Sequence, residues 1–405
     1  MSEKLILVLN CGSSSLKFSV INSNDYIITL KGIIEFSNAR KMKISWTINQ
    51  KTYCKILNQK KSYSFALNFI LVNILRPEPK IFRNIVCIGH RVVHGGSKIS
   101  TSVFITEDII EFIIDAYRFA PLHNPSNVLG IRASFNAFPN LKNKNIAVFD
   151  TAFHSTLPKM AYLYAIPYKF YEKYGIRKYG AHGISYQYSM YKSSKILNID
   201  ENCLNLIICH LGSGASISAI RNGICIDTSM GLTPLEGLVM GTRSGDIDPS
   251  IIFFMYHQLK MSIDEINDVL IHESGLLGLS GFSSDFRDLE CRYNLNKKIK
   301  MAIDIFCYRL AKYISSYMFL MEGKLHAIVF TGGIGENSTL VRKNTLSKLI
   351  SLGIKLDLKS NLSMLHGREG FINVKNTLPI LVIPANEELV IAKESFFMIN
   401  QYSKK

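Results

Sequence analysis

The chain has 405 residues, 47% of them hydrophobic and 19% charged, and a formal net charge of +16. That length accommodates two domains, each with its own core, and the composition is that of a globular rather than a disordered protein. The positive balance raises nucleic acid as a partner, but the lysines are scattered and no arginine–aromatic pattern accompanies them, so we read a basic solvated surface that attracts anionic substrates and no nucleic-acid partner.

The first predicted element is the apolar run Leu5-Ile6-Leu7-Val8-Leu9, a buried strand, with Phe18-Ser19-Val20-Ile21 as its return. Between them lies Asn10-Cys11-Gly12-Ser13-Ser14-Ser15-Leu16-Lys17. A glycine and three serines offer backbone N–H groups and hydroxyls to one point, with a lysine behind them, which suits a phosphate. The same residues also make an ordinary turn. The spacing is not that of the nucleotide-triphosphatase P-loop. Residues 26–31 read as strand and the following stretch to about residue 60 as a variable polar region. Ser64 to Leu75 is apolar at helical spacing, and residues 85–89 form another buried strand that leads into His90 to Gly96. Thr106 caps a helix with acids in its first turn, and Pro125 opens the next. Residues 145–149 form a strand that ends in Asp150, and a domain boundary is expected there.

The second half begins again in the same way. Leu206 to Ile220 repeats strand, Gly-Ser turn and strand, and Gly12, Ser13 and Asn22 find counterparts in Gly212, Ser213 and Asn222. Two such units half a chain apart suggest a duplicated domain whose two loops hold a polyphosphate between them. A glycine-rich stretch follows to Pro249, then a helix opened by Asp248-Pro249, a capping box at Ser262-x-x-Glu265, and a long helix from Lys297 to Met321. Residues 327–337 read as strand, glycine turn and helix start, which brings bare backbone and a helix N-terminus against a ligand. A strand at 380–384 and a helix at 386–399 close the chain. The fold class is therefore α/β with two domains. No apolar run reaches the ~18 residues that span a bilayer, so no membrane is expected, and the N-terminus lacks the features of a signal peptide. The eight scattered cysteines form no C-x-x-C and read as free thiols in a reducing cytoplasm.

Eight motifs, LNCGSSSLKFSV (9–20), GHRVVHGG (89–96), APLHNP (120–125), FDTAFH (149–154), YGAHG (179–183), HLGSGAS (210–216), MGTRSGDIDP (240–249) and FTGGIGEN (330–337), appear in one order along the chain. Together they resemble the acetate kinase family, and the resemblance runs from about residue 5 to 390. It implies two duplicated ribonuclease-H-like domains of the actin-like ATPase type with a cleft between them, residues 1–150 and 151–385, the last helix, 386–405, packing back on the first. It also implies a homodimer and the reaction of ATP with acetate to give ADP and acetyl phosphate, with Mg²⁺ that Mn²⁺ can replace. Such a transfer needs no general base, since a carboxylate is already ionised near neutrality; positioning and charge neutralisation carry it.

The family's roles fall on this chain as follows. Arg91 holds the acetate, Arg243 and His182 serve the transition state, and Asp150 positions the metal. Asn10 and Glu387 are further metal contacts, though Glu388 is adjacent. Val93, Leu122 and Pro234 form a methyl pocket and His123 is a further substrate contact. Lys17 resembles the nucleotide-phosphate lysine; His210, Leu211, Gly212, Ser213 and Gly214 form the second phosphate loop. Asp285-Phe286-Arg287 resembles the adenine-side segment, and Gly333, Ile334, Gly335, Glu336 and Asn337 the nucleotide loop. One departure stands out: the family continues H-G-T-S-H where this chain has His182-Gly183-Ile184-Ser185-Tyr186. Propionate or butyrate kinases, and an ATP-hydrolysing assembly or chaperone module, are the competing readings. Arg91 and Arg243 favour a kinase, as does the lack of a segment for a peptide-binding domain after residue 390.

Overall fold

The computed structural model describes residues 3–12, 14–36 and 41–402; Ser13, one of the loop serines named above, lies outside them, as do residues 403–405 of the last predicted helix. Two compact units emerge. One takes in the chain up to Phe153 together with the residues from Asn386 onward, and the other is His154–Ala385.

The first unit carries eight strands: β1 (Leu5–Cys11), β2 (Ser15–Asn22), β3 (Ile28–Phe36), β4 (Met42–Ile48), β5 (Lys51–Leu57), β6 (Ile85–Val92), β7 (Val103–Phe104) and β8 (Asn145–Phe149). Their order in the sheet is β5-β4-β3-β2-β1-β6-β8-β7. β1 is antiparallel to β2 and parallel to β6, and β6 is parallel to β8. Strands covered on both faces need apolar residues on both, hence the unbroken runs in β1 and β8. Leu5, Leu7, Leu9 and Cys11 enter a core shared with the helix Tyr63–Phe69. The helix Glu387–Tyr402 lies on the opposite face, so close to β6 that a Cβ at Gly89 would stand 2.7 Å from Ile391 Cγ2. The polar stretch before residue 60 differs from its sequence reading: β4 and β5 extend β3 as an antiparallel meander. β5 is exposed along nearly its whole length, so no apolar alternation marks it.

The second unit has β9 (Leu206–Leu211), β10 (Ala215–Arg221), β11 (Ile224–Thr228), β12 (Ala327–Thr331), β13 (Gly370–Phe371) and β14 (Ile380–Val382), in the order β11-β10-β9-β12-β14-β13. The five strands β11-β10-β9-β12-β14 repeat the plan of β3-β2-β1-β6-β8: an antiparallel meander followed by two parallel neighbours. The hairpin of β9 and β10 turns through three residues, 212–214. On one face Ile207, Cys209, Ile217 and Phe330 pack against Ile303, Phe306 and Leu310 of the helix Lys297–Leu320. The helix Gly183–Leu197 lies over the other face of β9. The capping box at Ser262 forms as its spacing predicts.

Candidate active site

In the first unit the functional side chains gather where β1, β6 and β8 end, the edge of a parallel sheet at which ligands bind. Arg91 stands one residue before the end of β6, and Asp150 directly follows β8. The guanidinium donates to a single carboxylate oxygen, Asp150 Oδ2, from Nη2 at 2.7 Å and Nε at 3.1 Å. Glu387, at the start of the C-terminal helix, approaches Arg91 Nε at 3.6 Å. Burial works against the charged guanidinium, but the two carboxylates outweigh it and hold the Arg91 pKa above its ordinary value. Asp150 is 1% exposed, so its carboxylate is held out of water, while the Arg91 side chain keeps 21% of its surface in solvent. Asn10 lies opposite Lys17 in the β1–β2 ladder, which puts the two side chains on one face.

Two buried asparagines fix the loop beyond β6, and motif reading missed both. Asn127 accepts from Val93 N at 3.1 Å and donates to Cys11 O at 2.7 Å, tying the ends of β6 and β1 together. Asn124 bonds both the N–H and the carbonyl of His94. Val93 is buried and Leu122 half-exposed, and His123 occupies the N-cap of the helix Asn124–Ala137.

In the second unit the register of one hairpin builds a polar cluster. Ser216 and His210 are directly opposed in the β9–β10 ladder. Residues 215, 217 and 219 face the core, so Ser216 points to the other side, beneath the start of the helix Gly183–Leu197. There His182 Nδ1 lies 2.8 Å from Ser216 Oγ, and His210 Nδ1 lies 2.8 Å from Ser185 Oγ. The two imidazoles stack, with centroids 4.2 Å apart and planes at 25°. His182 has φ of +60°, a left-handed conformation uncommon outside glycine and frequent at functional sites. Its Nε2 and the Arg243 Nη1 lie 3.5 and 3.7 Å from the position a Cβ would take on Gly214, so both flank the loop 212–214.

Arg243 Nη1 donates to Pro234 O at 3.0 Å. Among the described residues no carboxylate forms an ion pair with it, and burial lowers its pKa. A desolvated cation without a counter-charge is an anion site in waiting. Gly241 N donates to Ser213 O at 2.9 Å, which docks the Arg243 loop on the phosphate loop.

A third feature of this unit is an open pocket of about 710 Å³. Gly212 and Ser213 of the loop, the segment Asp285 to Arg287, and Gly333, Ile334 and Asn337 all line it. Asp285 caps its short helix through Arg287 N and also bonds the exposed Arg287 guanidinium, Nη2 to Oδ2 at 2.6 Å. The Phe286 ring points into the core against Phe306, so its side of the pocket is backbone. Leu211 is likewise a core residue, and His210 belongs with His182 rather than the pocket wall. Gly332 opens the helix Gly332–Asn337 at φ +77°, where a Cβ would meet Leu211 O at 2.8 Å. Glu336 turns away and accepts from Ala385 N at 2.7 Å; burial raises its pKa. Glu290, Ser338 and His366 also line the pocket, without a sequence signal. Arg342 is a further residue that sequence reading missed. It is fully buried, and its guanidinium donates to the carbonyls of Gly335, Glu336, Asn361 and Met364 and to Asn361 Oδ1, at 2.7 to 2.9 Å. It thereby caps the C-terminal end of the pocket helix with positive charge.

The acetokinase family pattern matches residues 5–393. The chain belongs to the acetokinase family. Among its relatives is the acetate kinase of Buchnera aphidicola subsp. Baizongia pistaciae, 65% identical over 400 residues, covering 99% of this chain and all of that one. A solved propionate kinase from Francisella tularensis superposes with a TM-score of 0.90 at 46% identity, covering 96% of this chain and 98% of its own. Porphyromonas gingivalis acetate kinase gives 0.89 at 35% identity, covering 98% and 100%. The two sheets are accordingly those of the actin-like ATPase class, as the motifs implied.

Proposed function

We propose that the chain transfers a phosphoryl group reversibly and in line between ATP and acetate, giving acetyl phosphate and ADP. One observation carries this reading beyond family membership. Arg243 is a partly buried guanidinium with no carboxylate partner among the described residues, and it shares the space beside Gly214 with His182 Nε2. Two such donors around a phosphate loop suit a transferring phosphoryl group. Arg91 is the candidate carboxylate grip in the first unit. Asp150 Oδ2 is occupied by two Arg91 donors, which fits an anchoring role and not a base.

Asp150, Glu387 and the Asn10 amide offer oxygen donors only. That fits Mg²⁺, or Mn²⁺ in its place, which is commonly held by one or two carboxylates together with substrate phosphates. Bound there, the ion would neutralise phosphate charge. The pocket with Gly212, Phe286 and Gly333 is the candidate adenosine site, and Lys17 the candidate phosphate contact from the first unit. We read the two units as the two domains the motifs imply, 1–150 with the last helix and 151–385.

The helix Ser250–His257 has no buried residue, and Phe253 and Phe254 are 62% and 58% exposed. An apolar helix with no cover supports a homodimer formed through this face. All eight cysteines are free, which supports a cytoplasmic location, and no helix among the described residues is long and apolar enough to cross a membrane.

Trapping with hydroxylamine tests the reaction directly. Purified protein with ATP, Mg²⁺ and acetate is expected to yield acetyl hydroxamate, and chelation to abolish it. ATP hydrolysis indifferent to any short carboxylate would favour the assembly-ATPase alternative. The Francisella relative is a propionate kinase, which keeps propionate as the second substrate to compare.

A further inference from the structure

The cluster above the β9–β10 hairpin contains one member that the family pattern does not supply. Where that pattern has a second histidine, this chain has Tyr186. The tyrosine is fully buried, its ring edge-on to His154 with centroids 5.6 Å apart. Its hydroxyl is hydrogen-bonded to Ser216 Oγ, the same atom that lies 2.8 Å from His182 Nδ1. Tyr186 follows His182 by one helical turn, and its N–H donates to the His182 carbonyl at 3.1 Å. The first turn of the helix therefore sets the spacing between phenol and imidazole, and β10 inserts a serine hydroxyl between them.

The geometry allows either oxygen of the Tyr186–Ser216 pair to donate and either tautomer of His182, and relative acidity favours one polarity. Serine has one proton to give and lone pairs to accept with. A phenol is a stronger donor than an alcohol, so Tyr186 gives its proton to Ser216, and Ser216 gives its own to His182 Nδ1. With Nδ1 accepting, a neutral imidazole carries its proton on Nε2. Nε2 is the nitrogen that flanks Gly214 beside Arg243 Nη1. The opposite polarity would turn an Nε2 lone pair toward an anionic oxygen, which repels.

We propose that Tyr186 and Ser216 are positioning residues that fix His182 as the Nε2–H tautomer, so that a donor faces the phosphoryl oxygens throughout transfer. The role of that donor rests on the phosphoryl-transfer reading above. The hydrogen-bond chain itself does not.

The test uses the full chain labelled with ¹⁵N-histidine and long-range ¹H–¹⁵N spectra, with His182 assigned by comparison with His182→Asn. The wild type is expected to show a pyridine-type Nδ1 and a pyrrole-type Nε2 at His182. Tyr186→Phe and Ser216→Ala are each expected to move both signals toward the tautomer average. Steady-state kinetics should show kcat lowered roughly 10-fold in each, the scale of a lost orienting partner, with the KM values for acetate and ATP within about two-fold. The double variant should be no slower than Ser216→Ala alone, because the tyrosine acts only through the serine. Tyr186→His, the residue of the family pattern, should recover most of the loss. An Nδ1–H tautomer in the wild type, or unchanged His182 signals in Tyr186→Phe, overturns the proposal, and so do additive losses in the double variant. Should Tyr186→Phe fail to fold, Ser216→Ala carries the same readouts. Expected spectra from a protein that makes no acetyl phosphate would overturn the proposed reaction and leave the hydrogen-bond chain standing.

Discussion

Arg91 and Asp150 meet through two donors on one carboxylate oxygen, at 2.7 and 3.1 Å, with the aspartate 1% exposed. Removing the arginine leaves the buried Asp150 carboxylate uncompensated, at roughly 3–5 kcal/mol. Arg91→Ala should therefore lower the melting temperature as well as abolish acetate turnover. Adding Asp150→Asn should restore much of the melting temperature and none of the activity. Thermal denaturation of the two variants distinguishes this from a purely catalytic arginine, for which the second substitution would change nothing.

Arg243 should behave in the opposite way. Among the described residues it has no carboxylate ion-pair partner to strand, so Arg243→Ala should leave stability within about 1 kcal/mol of the wild type or raise it. Turnover should fall roughly 10²–10⁴-fold with little change in the KM for acetate, since its partner is the moving phosphoryl. A rise in KM alone would assign Arg243 to substrate binding instead.

Substrate size bears on Val93, a buried residue beside Arg91 whose N–H is fixed by Asn127. An apolar pocket discriminates a methylene by about 10–200-fold. Acetate should lead, propionate follow and butyrate trail in kcat/KM, and Val93→Ala should narrow the gap through a lower KM for propionate. A wild type that prefers propionate would move the assignment to the propionate kinases.

Burial pushes the pKa of His154 from 6.5 down to about 4, and that of His90 likewise to about 4. Both pKa values are depressed in the fold, so the unfolded chain binds protons that the folded one refuses. Their contribution is complete above 6.5 and is lost as the pH falls from 6.5 toward 4. Each is worth up to about 3 kcal/mol across that window. The melting temperature should drop between about pH 7 and pH 5, and His154→Gln should flatten part of the slope. A level profile in the wild type would contradict the burial of neutral imidazoles.

If Phe253 and Phe254 cover a partner copy, Phe253→Glu with Phe254→Glu should convert a dimer to a monomer in sedimentation or light scattering, without loss of the fold. A wild-type monomer at micromolar concentration would leave that helix face unexplained by self-association.

The duplicated hairpins were legible because the same signs recur twice: an unbroken apolar run, a Gly-Ser turn, and alternation in the return strand, where Ser216 and Ser218 interleave with Ala215, Ile217 and Ala219. The positions of Arg91 and Asp150 at strand ends were legible for a similar reason, since the apolar runs of residues 85–88 and 146–149 stop just before them. The exposed meander at β5 was not legible, because a strand with no buried face leaves no period to read. Asn124, Asn127 and Arg342 were missed because their partners are mostly backbone carbonyls and amides distant in sequence, which side-chain identity does not announce. The Tyr186 substitution was visible as a departure, but its partner Ser216 lies 30 residues away on β10, and only the packing of the helix Gly183–Leu197 over the sheet brings them together.

Arg342 has a consequence for how this molecule opens. Its guanidinium joins the carbonyls of Gly335 and Glu336 to those of Asn361 and Met364 with no water between them. Parting either segment from it would strand several charge-assisted bonds at once, so the helix Gly332–Asn337 at the pocket cannot fray by itself. The helices Gly332–Asn337 and Leu358–Ser363 are thus one cooperative unit, and their amides should exchange with solvent at a common rate.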